Sequence, residues 1–176
     1  MPKLNGLVFW LIPSELFAQF YRKEIERFSL RFKTTKFVPH LTLGHLDNGS
    51  VQEIKSGSLK SFLSADGDLI KAIHSHPECR TEPYQNLIHV LNGSDQIEQF
   101  QSELKNLVPG YQPKEEYHIS LMYGEIPCRA LVHEINNLSK RLPEKVSFSK
   151  INLIELSGQP GSWKTLWEHK FINRKE

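Results

Sequence analysis

The chain has 176 residues, 39% of them hydrophobic and 24% charged, with a formal net charge of +2 and a sequence pI near 8.5. A chain of this length fits a single compact domain over residues 1–176 and leaves no room for a second independent core. The weak positive charge does not indicate a protein that binds duplex nucleic acid through a dense basic surface, whereas it is compatible with a small anionic ligand.

Neither a membrane segment nor a secretion signal is evident in the sequence. No stretch approaches the roughly eighteen uncharged apolar residues that a membrane-spanning helix requires. The apolar residues at 10–12 run directly into Pro13, without the basic, apolar and small-residue order of a signal peptide. Cys79 and Cys128 have neither a metal-binding nor a disulfide-rich spacing, so we expect reduced thiols. We therefore expect a soluble, cytoplasmic protein with no membrane partner, acting as a monomer.

The first predicted elements are a buried strand and an amphipathic helix. Residues 7–12 form a continuous apolar run of strand length that Pro13 ends. Ser14 is a candidate N-cap for a helix that reaches about Leu30. The helix is indicated by apolar residues at helical spacing, namely Phe17, Phe20, Tyr21, Ile25 and Phe28.

The middle of the chain predicts a hairpin and a second helix. A polar stretch at 50–68 with scattered apolar residues indicates a short helix. Two strand-like segments follow at 69–80 and 85–91, and the Pro-Tyr turn between them favours a hairpin. A serine or an aspartate then caps the clearest helix, over 94–107. Its apolar residues recur at spacings of three and four: Ile97, Phe100, Leu104 and Leu107.

The last third of the chain is dominated by strands. Residues 117–123 predict a strand, and a helix begins at Pro127 and ends before Pro143. Three further strands are predicted over 145–149, 151–156 and 163–171. The order of strands and helices lacks the regular alternation of a parallel sheet, so the sequence favours an α+β fold.

Two short stretches of this chain look like copies of one another. Residues 38–44 read VPHLTLG and residues 117–124 read YHISLMYG. Alternate side chains of an extended strand share a face, so each stretch presents one imidazole and one hydroxyl together while its apolar residues anchor the strand. The residues presented in this way are His40, Thr42, His118 and Ser120.

The flanks of the two stretches give them their specificity. About one His-x-Ser/Thr match is expected by chance in such a composition, and both histidines could be structural. Both matches, however, lie in apolar strand-like runs followed by glycine, 78 residues apart. Residues 37–43 and 118–124 resemble the two-histidine phosphoesterases, and within them the cyclic phosphodiesterase branch. The resemblance covers the order of elements over nearly the whole chain but is specific only near the motifs and the start.

The resemblance implies an architecture and a catalytic set. Members of the family are bilobal, with two mostly antiparallel sheets related by a pseudo-twofold axis, outer helices and a central cleft that holds the site. By this resemblance His40 and His118 are the catalytic residues. Thr42 and Ser120 are the hydroxyls that bind the phosphate.

Two aromatic residues are further candidates for substrate binding. Tyr123 matches the family's aromatic residue after the second motif, but strict strand alternation places it on the face opposite His118, so a bend or bulge near Gly124 is required. Trp10 on the first strand has the alternation of a core side chain, although the family's first-strand aromatic residue can approach the substrate.

The implied activity is hydrolysis of 2',3'-cyclic nucleotides or of ADP-ribose 1'',2''-cyclic phosphate, without a metal or another cofactor. The implied product is the 2'-phosphate or the 1''-phosphate, which places the enzyme in the metabolism of RNA and tRNA-splicing products. Because histidine has an unperturbed pKa of about 6.5, one imidazole can accept a proton from water while the other protonates the leaving ribose oxygen. The sequence leaves open which histidine is the acid. The hydroxyls can donate hydrogen bonds to the non-bridging phosphate oxygens.

Other interpretations of the sequence stay open. A related enzyme acting on RNA ends, as a cyclic phosphodiesterase or a 2'-5' RNA ligase, requires a basic stripe, and only scattered cations are present. A nucleotide-binding module without catalysis could retain both motifs. His74 and His76 share a strand face and could bind zinc with Cys79, although no further ligand has a diagnostic spacing. His89 fits a buried, hydrogen-bonded histidine better than a cleft residue.

Overall fold

The structure, a computed structural model, describes residues 4–46 and 69–171. Its described strands are β1 (Leu4–Pro13), β2 (Leu41–Leu46), β3 (Ile70–Cys79), β4 (Leu87–Asn92), β5 (Tyr111–Pro113), β6 (Tyr117–Met122), β7 (Lys145–Gly158) and β8 (Lys164–Lys170). Its described α-helices are α1 (Glu15–Phe32), α2 (Asp95–Leu107) and α3 (Val132–Leu138), with a 3-10 turn at Cys128–Ala130. The short helix expected within 50–68 lies outside the described residues.

Antiparallel pairing connects the described strands in the order β1-β2-β6-β4-β3-β7-β8, and β5 adds to β2. Together with the helices this confirms the α+β class. Strand β7 connects β3 with β1: its residues 145–148 pair with β3, and its residues 148–158 pair with β1. The predicted division of β7 into two strands is therefore wrong. No proline or glycine interrupts the run, and residues 151–154 are all buried.

The two motif strands meet at a single residue pair. Leu41 of β2 lies opposite Ile119 of β6 in antiparallel register, and both side chains are fully buried. Opposite residues of an antiparallel pair point to the same face, and their chain neighbours point to the other face. The imidazole and hydroxyl of each motif therefore lie on the face away from this pair, related by a local twofold axis.

Helices α1 and α2 cover the apolar side of the strands. Helix α1 buries Ala18, Tyr21, Ile25 and Phe28. The hydroxyl of Ser14 does not cap α1, because it is hydrogen-bonded to the hydroxyl of Ser147 at 2.8 Å. Ser94 caps α2 as predicted, with its Oγ accepting the Ile97 N–H at 3.4 Å. None of the described helices is long and apolar enough to cross a membrane.

The short strand β5, which the sequence did not predict, packs tightly on β2. A Cβ atom at Gly44 would lie 2.3 Å from the Gln112 carbonyl oxygen and 2.6 Å from the Tyr111 ring. The Tyr111 hydroxyl donates to the Leu43 carbonyl oxygen at 3.1 Å. Glycine at this position thus permits the close approach that leads the chain from β5 into the second motif strand.

The two cysteines form a disulfide, contrary to the expected reduced thiols. Cys79 ends β3 and Cys128 begins the 3-10 turn, and their Cα atoms are 5.6 Å apart. The sequence separation of 49 residues did not indicate this proximity, which arises from the path of the chain after β6. Asn86 supports the same junction, since its side chain donates to the carbonyl oxygens of Arg80 and Ile126.

Candidate active site

One cavity of about 750 Å³ opens beside the meeting point of the motif strands. The six residues that the resemblance assigns to catalysis or substrate binding all line it: Trp10, His40, Thr42, His118, Ser120 and Tyr123. The antiparallel pair of Leu41 and Ile119 explains this convergence, because it turns the polar positions of both strands to one face.

His40 is held by the loop that enters β2. Its Nδ1–H donates to the Val38 carbonyl oxygen at 2.7 Å, which fixes the tautomer and leaves Nε2 as the basic nitrogen of the neutral ring. The Trp10 ring stacks on the imidazole with centroids 3.6 Å apart and planes 13° apart. Burial lowers the pKa of His40 to about 3, against the opposing effect of the bond to Val38.

His118 has a different partner at the same ring nitrogen. Its Nδ1–H donates to Glu116 Oε1 at 3.2 Å, while Glu116 Oε2 accepts from Arg80 Nη2 at 2.8 Å. Burial lowers the pKa of His118 to about 4, the charge of Lys114 lowers it further, and the Glu116 carboxylate opposes both effects. Neither Glu116 nor Arg80 stood out in the sequence, where each is one charged residue among many.

The two motif hydroxyls differ in their surroundings. The Ser120 hydroxyl donates to the Tyr84 carbonyl oxygen at 3.0 Å. A hydroxyl has one proton to donate, so Ser120 must exchange this bond before it can donate to a phosphate oxygen. Thr42, which lines the same cavity, is half-buried in β2.

Tyr123 reaches the cavity despite the alternation of β6. The pairing of β4 with β6 shifts register between Leu87 and Ile88, which face Met122 and Ser120, so one extra residue of β6 is accommodated. This irregularity provides the bulge that the sequence required, but at Leu121 and not near Gly124. The Tyr123 ring stacks on Phe37 with centroids 3.6 Å apart, and burial raises the pKa of its hydroxyl.

Trp163, in the turn between β7 and β8, is an unexpected wall of the cavity. Its ring lies 5.6 Å from Trp10 and 6.2 Å from both Tyr84 and Tyr123, measured between centroids. In the sequence it follows a Gly-Gln-Pro-Gly turn, which carries no sign of an inward orientation. Trp10 and Trp163 also border a second cavity of about 520 Å³, so the two spaces are neighbours.

The remaining histidine candidates lie elsewhere. His89 is fully buried on the opposite face, where Nδ1 bonds to the Tyr21 hydroxyl at 2.7 Å and Nε2 to His74 Nδ1 at 2.8 Å. This confirms the buried, hydrogen-bonded interpretation of His89. His74 is engaged there and Cys79 is in the disulfide, and no group of three His, Cys, Asp or Glu within 4–46 and 69–171 is arranged to hold a metal ion.

The cavity therefore combines acid–base groups, hydrogen-bond donors and aromatic walls. Both motif histidines have Nδ1 engaged as a donor, which leaves two Nε2 atoms for proton transfer. Lys114 adds a positive charge to the lining, and the partly buried ring of Trp163 offers flat apolar surface. Such a set suits an anionic centre attached to a ring-shaped group.

Comparison with known proteins identifies the fold. No family model matches the sequence, and no curated protein matches it. A solved phosphoesterase structure is 14% identical, with a TM-score of 0.54, over 97% of this chain and 100% of that chain. E. coli LigT complexed with phosphate is 12% identical, with a TM-score of 0.56, over 98% and 100%. E. coli LigT complexed with 3'-AMP is 13% identical, with a TM-score of 0.53, over 96% and 99%. At these identities the likeness concerns the fold, and the chain therefore has the fold of these phosphoesterase structures, as the resemblance of its two motifs to the two-histidine phosphoesterases implies.

Proposed function

We propose that the chain is a two-histidine cyclic phosphodiesterase that opens 2',3'-cyclic nucleotides, or the cyclic phosphate of ADP-ribose, to a phosphomonoester. One observation carries the proposal: the antiparallel pair of Leu41 and Ile119 brings both imidazoles and both hydroxyls into one cavity. Chance repetition of a His-x-Ser/Thr pattern gives no reason for the copies to converge on one cavity.

The proposed reaction is an in-line displacement at phosphorus. One neutral imidazole accepts a proton from water through Nε2 as the water oxygen forms its bond to phosphorus. The bond from phosphorus to one ribose oxygen breaks, and the other imidazole, protonated at Nε2, gives its proton to that oxygen. Thr42 and, after leaving the Tyr84 carbonyl, Ser120 donate to the non-bridging oxygens. The mechanism needs no metal ion to move these two protons.

The aromatic walls support a nucleotide-like substrate. Stacking of a base on a tryptophan or tyrosine ring is worth about 1–3 kcal/mol and tolerates different bases. Trp163, which is only partly buried, supplies such a surface beside the histidines, whereas Trp10 and Tyr123 line the same cavity but are nearly buried and stacked on His40 and Phe37. E. coli LigT, which shares the fold, has been crystallised with phosphate, 3'-AMP, NADP+ and ATP.

The second cavity favours an RNA-end enzyme as the alternative function. It adjoins the first cavity across Trp10 and Trp163, so it could hold the nucleotide that precedes a cyclic phosphate end. Arg22 and Lys36 line it, but each forms an ion pair at 2.5 Å, with Glu15 and Glu26 respectively. Because this charge is already compensated, we favour mononucleotide-sized substrates over RNA.

Salt dependence and substrate length distinguish the two functions. For a mononucleotide enzyme, kcat/KM changes little between about 50 and 200 mM salt, whereas an enzyme that contacts several RNA phosphates loses affinity steeply, in proportion to the number of contacts. A steep slope together with much faster turnover of oligonucleotides ending in a cyclic phosphate would establish the RNA-end function instead.

The direct test is a turnover assay with separation of product isomers. The substrates are the four 2',3'-cyclic nucleotides, ADP-ribose 1'',2''-cyclic phosphate and RNA with a cyclic end, each with and without exhaustive chelation. We expect wild-type turnover to survive chelation and His40→Ala to abolish most of it. His133→Ala, at an exposed position of α3, is the matched control. A protein that binds the nucleotides but turns over none of them would be a binding module, and loss of activity on chelation would overturn the metal-independent mechanism.

A further inference from the structure

The two motif histidines differ in the group that holds Nδ1. His40 donates to a neutral backbone carbonyl oxygen at 2.7 Å, whereas His118 donates to the carboxylate of Glu116 at 3.2 Å. A carboxylate stabilises the protonated form of an imidazole by its charge as well as by the hydrogen bond, which a carbonyl does less strongly. The local twofold axis relates the two rings but does not relate these partners.

A network of hydrogen bonds centred on Arg80 fixes the Glu116 side chain. Arg80 Nη2 donates to Glu116 at 2.8 Å, and Arg80 Nε donates to Glu78 at 2.9 Å. Arg80 Nη1 also donates to the Gln85 side chain at 3.0 Å, so the guanidinium is held from three sides. Arg80 follows Cys79, whose disulfide anchors this end of β3. The network holds the Glu116 carboxylate beside the imidazole.

The charged groups around His118 differ in whether they stabilise its protonated form. The titratable or charged groups near it are Glu116 and Lys114 ahead of β6, Arg80 after β3 and His40 ahead of β2, and the cavity wall adds His45, Glu82, Tyr84 and Tyr123. Lys114 and Arg80 disfavour a second positive charge, but Glu78 pairs with Arg80. Among the described residues that face the ring, Glu116 is the carboxylate in hydrogen-bond contact with it.

We propose that Glu116, held by Arg80, is a positioning residue that orients His118 and makes it the general acid, which leaves His40 as the general base. The proposal rests on the proposed function. His118 gives its Nε2 proton to the leaving ribose oxygen, and His40 takes the proton of the attacking water at Nε2. Exchange with solvent then returns both rings to their starting states, so no proton is gained or lost over a cycle. Glu116 acts through His118 and does not contact the reacting atoms.

The same assignment agrees with the electrostatics of the cleft. Burial keeps both imidazoles neutral at pH 7 without substrate charge. An anionic phosphate bound between them favours one added proton, because an opposite charge stabilises the charged form of a nearby group. Glu116 then decides which ring carries it.

The test compares Glu116→Gln with Glu115→Gln, which removes the same charge from the exposed neighbouring position. Removal of the Glu116 charge lowers the pKa of His118, so the alkaline limb of the kcat/KM profile moves to lower pH. A shift of one unit costs about tenfold in kcat/KM at alkaline pH. We expect this loss for Glu116→Gln and a profile like that of wild type for Glu115→Gln. Superimposable profiles for the two variants would overturn the role of Glu116.

A second measurement separates the acid from the base. A cyclic substrate with sulfur in place of the leaving ribose oxygen needs little protonation at that atom, so it should restore most of the turnover lost by His118→Ala and little of that lost by His40→Ala. The reverse pattern would overturn the assignment.

A third measurement does not depend on turnover. An NMR titration of the imidazole nitrogens should show a lower pKa for His118 and an unchanged one for His40 in Glu116→Gln. If wild type turns over none of the substrates but Glu116→Gln still lowers the pKa of His118, the proposed function is wrong and the contact between Glu116 and His118 is supported. If the pKa of His118 does not change, the contact itself is refuted.

Discussion

His40 and His118 act on one transition state if the proposed function holds, and this has a measurable consequence. General acid or base assistance contributes about a hundredfold to ten-thousandfold per group, so His40→Ala and His118→Ala should each lose on that order in kcat. The double variant should lose less than the product of the two losses, because a single missing partner already disables the concerted proton transfers. Circular dichroism and a thermal melt establish that each variant is folded. Near-normal turnover by either folded variant would show that the two motifs are structural and that the chemistry lies elsewhere.

The two hydroxyls give a prediction that the sequence alone could not make. The Ser120 proton is already engaged with the Tyr84 carbonyl oxygen, so its donation to phosphate requires an exchange of hydrogen bonds. We therefore expect Thr42→Val to reduce kcat more than Ser120→Ala, with losses on the order of tenfold to a thousandfold for Thr42. Single-turnover rates at saturating substrate are the appropriate measurement. An equal or larger loss at Ser120 would show that this hydroxyl is the principal donor.

The sequence predicted the candidate site positions that a local rule governs. The alternation of strand side chains was enough to place His40 with Thr42 and His118 with Ser120. Glu116 and Trp163 could not be found in this way. Their approach to the site depends on the path of the chain after β5 and on the turn between β7 and β8, and neither path has a local sequence signature.

At the scale of elements, the disulfide fastens the β3–β4 hairpin to the chain that leaves β6. It closes a sequence separation of 49 residues, for which restriction of the unfolded chain predicts a stabilisation of about 2–4 kcal/mol. Cys79→Ser with Cys128→Ser should therefore lower the urea midpoint by a corresponding amount. Dithiothreitol should lower the wild-type midpoint towards that of the variant and leave the variant unchanged. A wild-type midpoint that does not respond to full reduction of the bond would contradict this prediction.

The elements themselves were predictable where apolar periodicity is unbroken. Helix α2 begins at its predicted cap, and the β3–β4 hairpin forms as its turn sequence indicated. The prediction divided β7 because polar residues at 149 and 150 separate two apolar runs, whereas pairing with β3 and then with β1 keeps the strand continuous. Strand β5 was missed because three residues are too few to show alternation.

For the whole molecule, buried histidines make stability depend on pH. Burial lowers the pKa of His40 and His89 to about 3 and that of His118 to about 4. In the unfolded chain these groups titrate near 6.5, so below that pH the unfolded state binds more protons and stability falls until the folded-state pKa values are reached. Each of these histidines should lower the free energy of unfolding by roughly 1–2 kcal/mol between about pH 6.5 and 5.

His89 offers a test of this dependence away from the cleft. His89→Gln keeps a hydrogen-bonding side chain between Tyr21 and His74 but cannot titrate. The urea-derived free energy of unfolding should therefore fall less steeply from pH 7 to 5 in this variant than in wild type. His133→Gln, at an exposed position, should keep the wild-type slope. If the slopes of all three proteins coincide, His89 does not contribute to the acid sensitivity.

Because Trp10 stacks on His40, its fluorescence should depend on whether the imidazole is protonated. An excited indole in contact with an imidazolium ring loses emission by electron transfer, and a neutral imidazole quenches it far less. The rings are 3.6 Å apart and nearly parallel, so the emission of Trp10 follows the protonation of His40. With Trp163 and Trp167 replaced by phenylalanine, Trp10 is the sole tryptophan of the chain. A fluorescence titration of that variant then reads one histidine directly, without a label or a substrate.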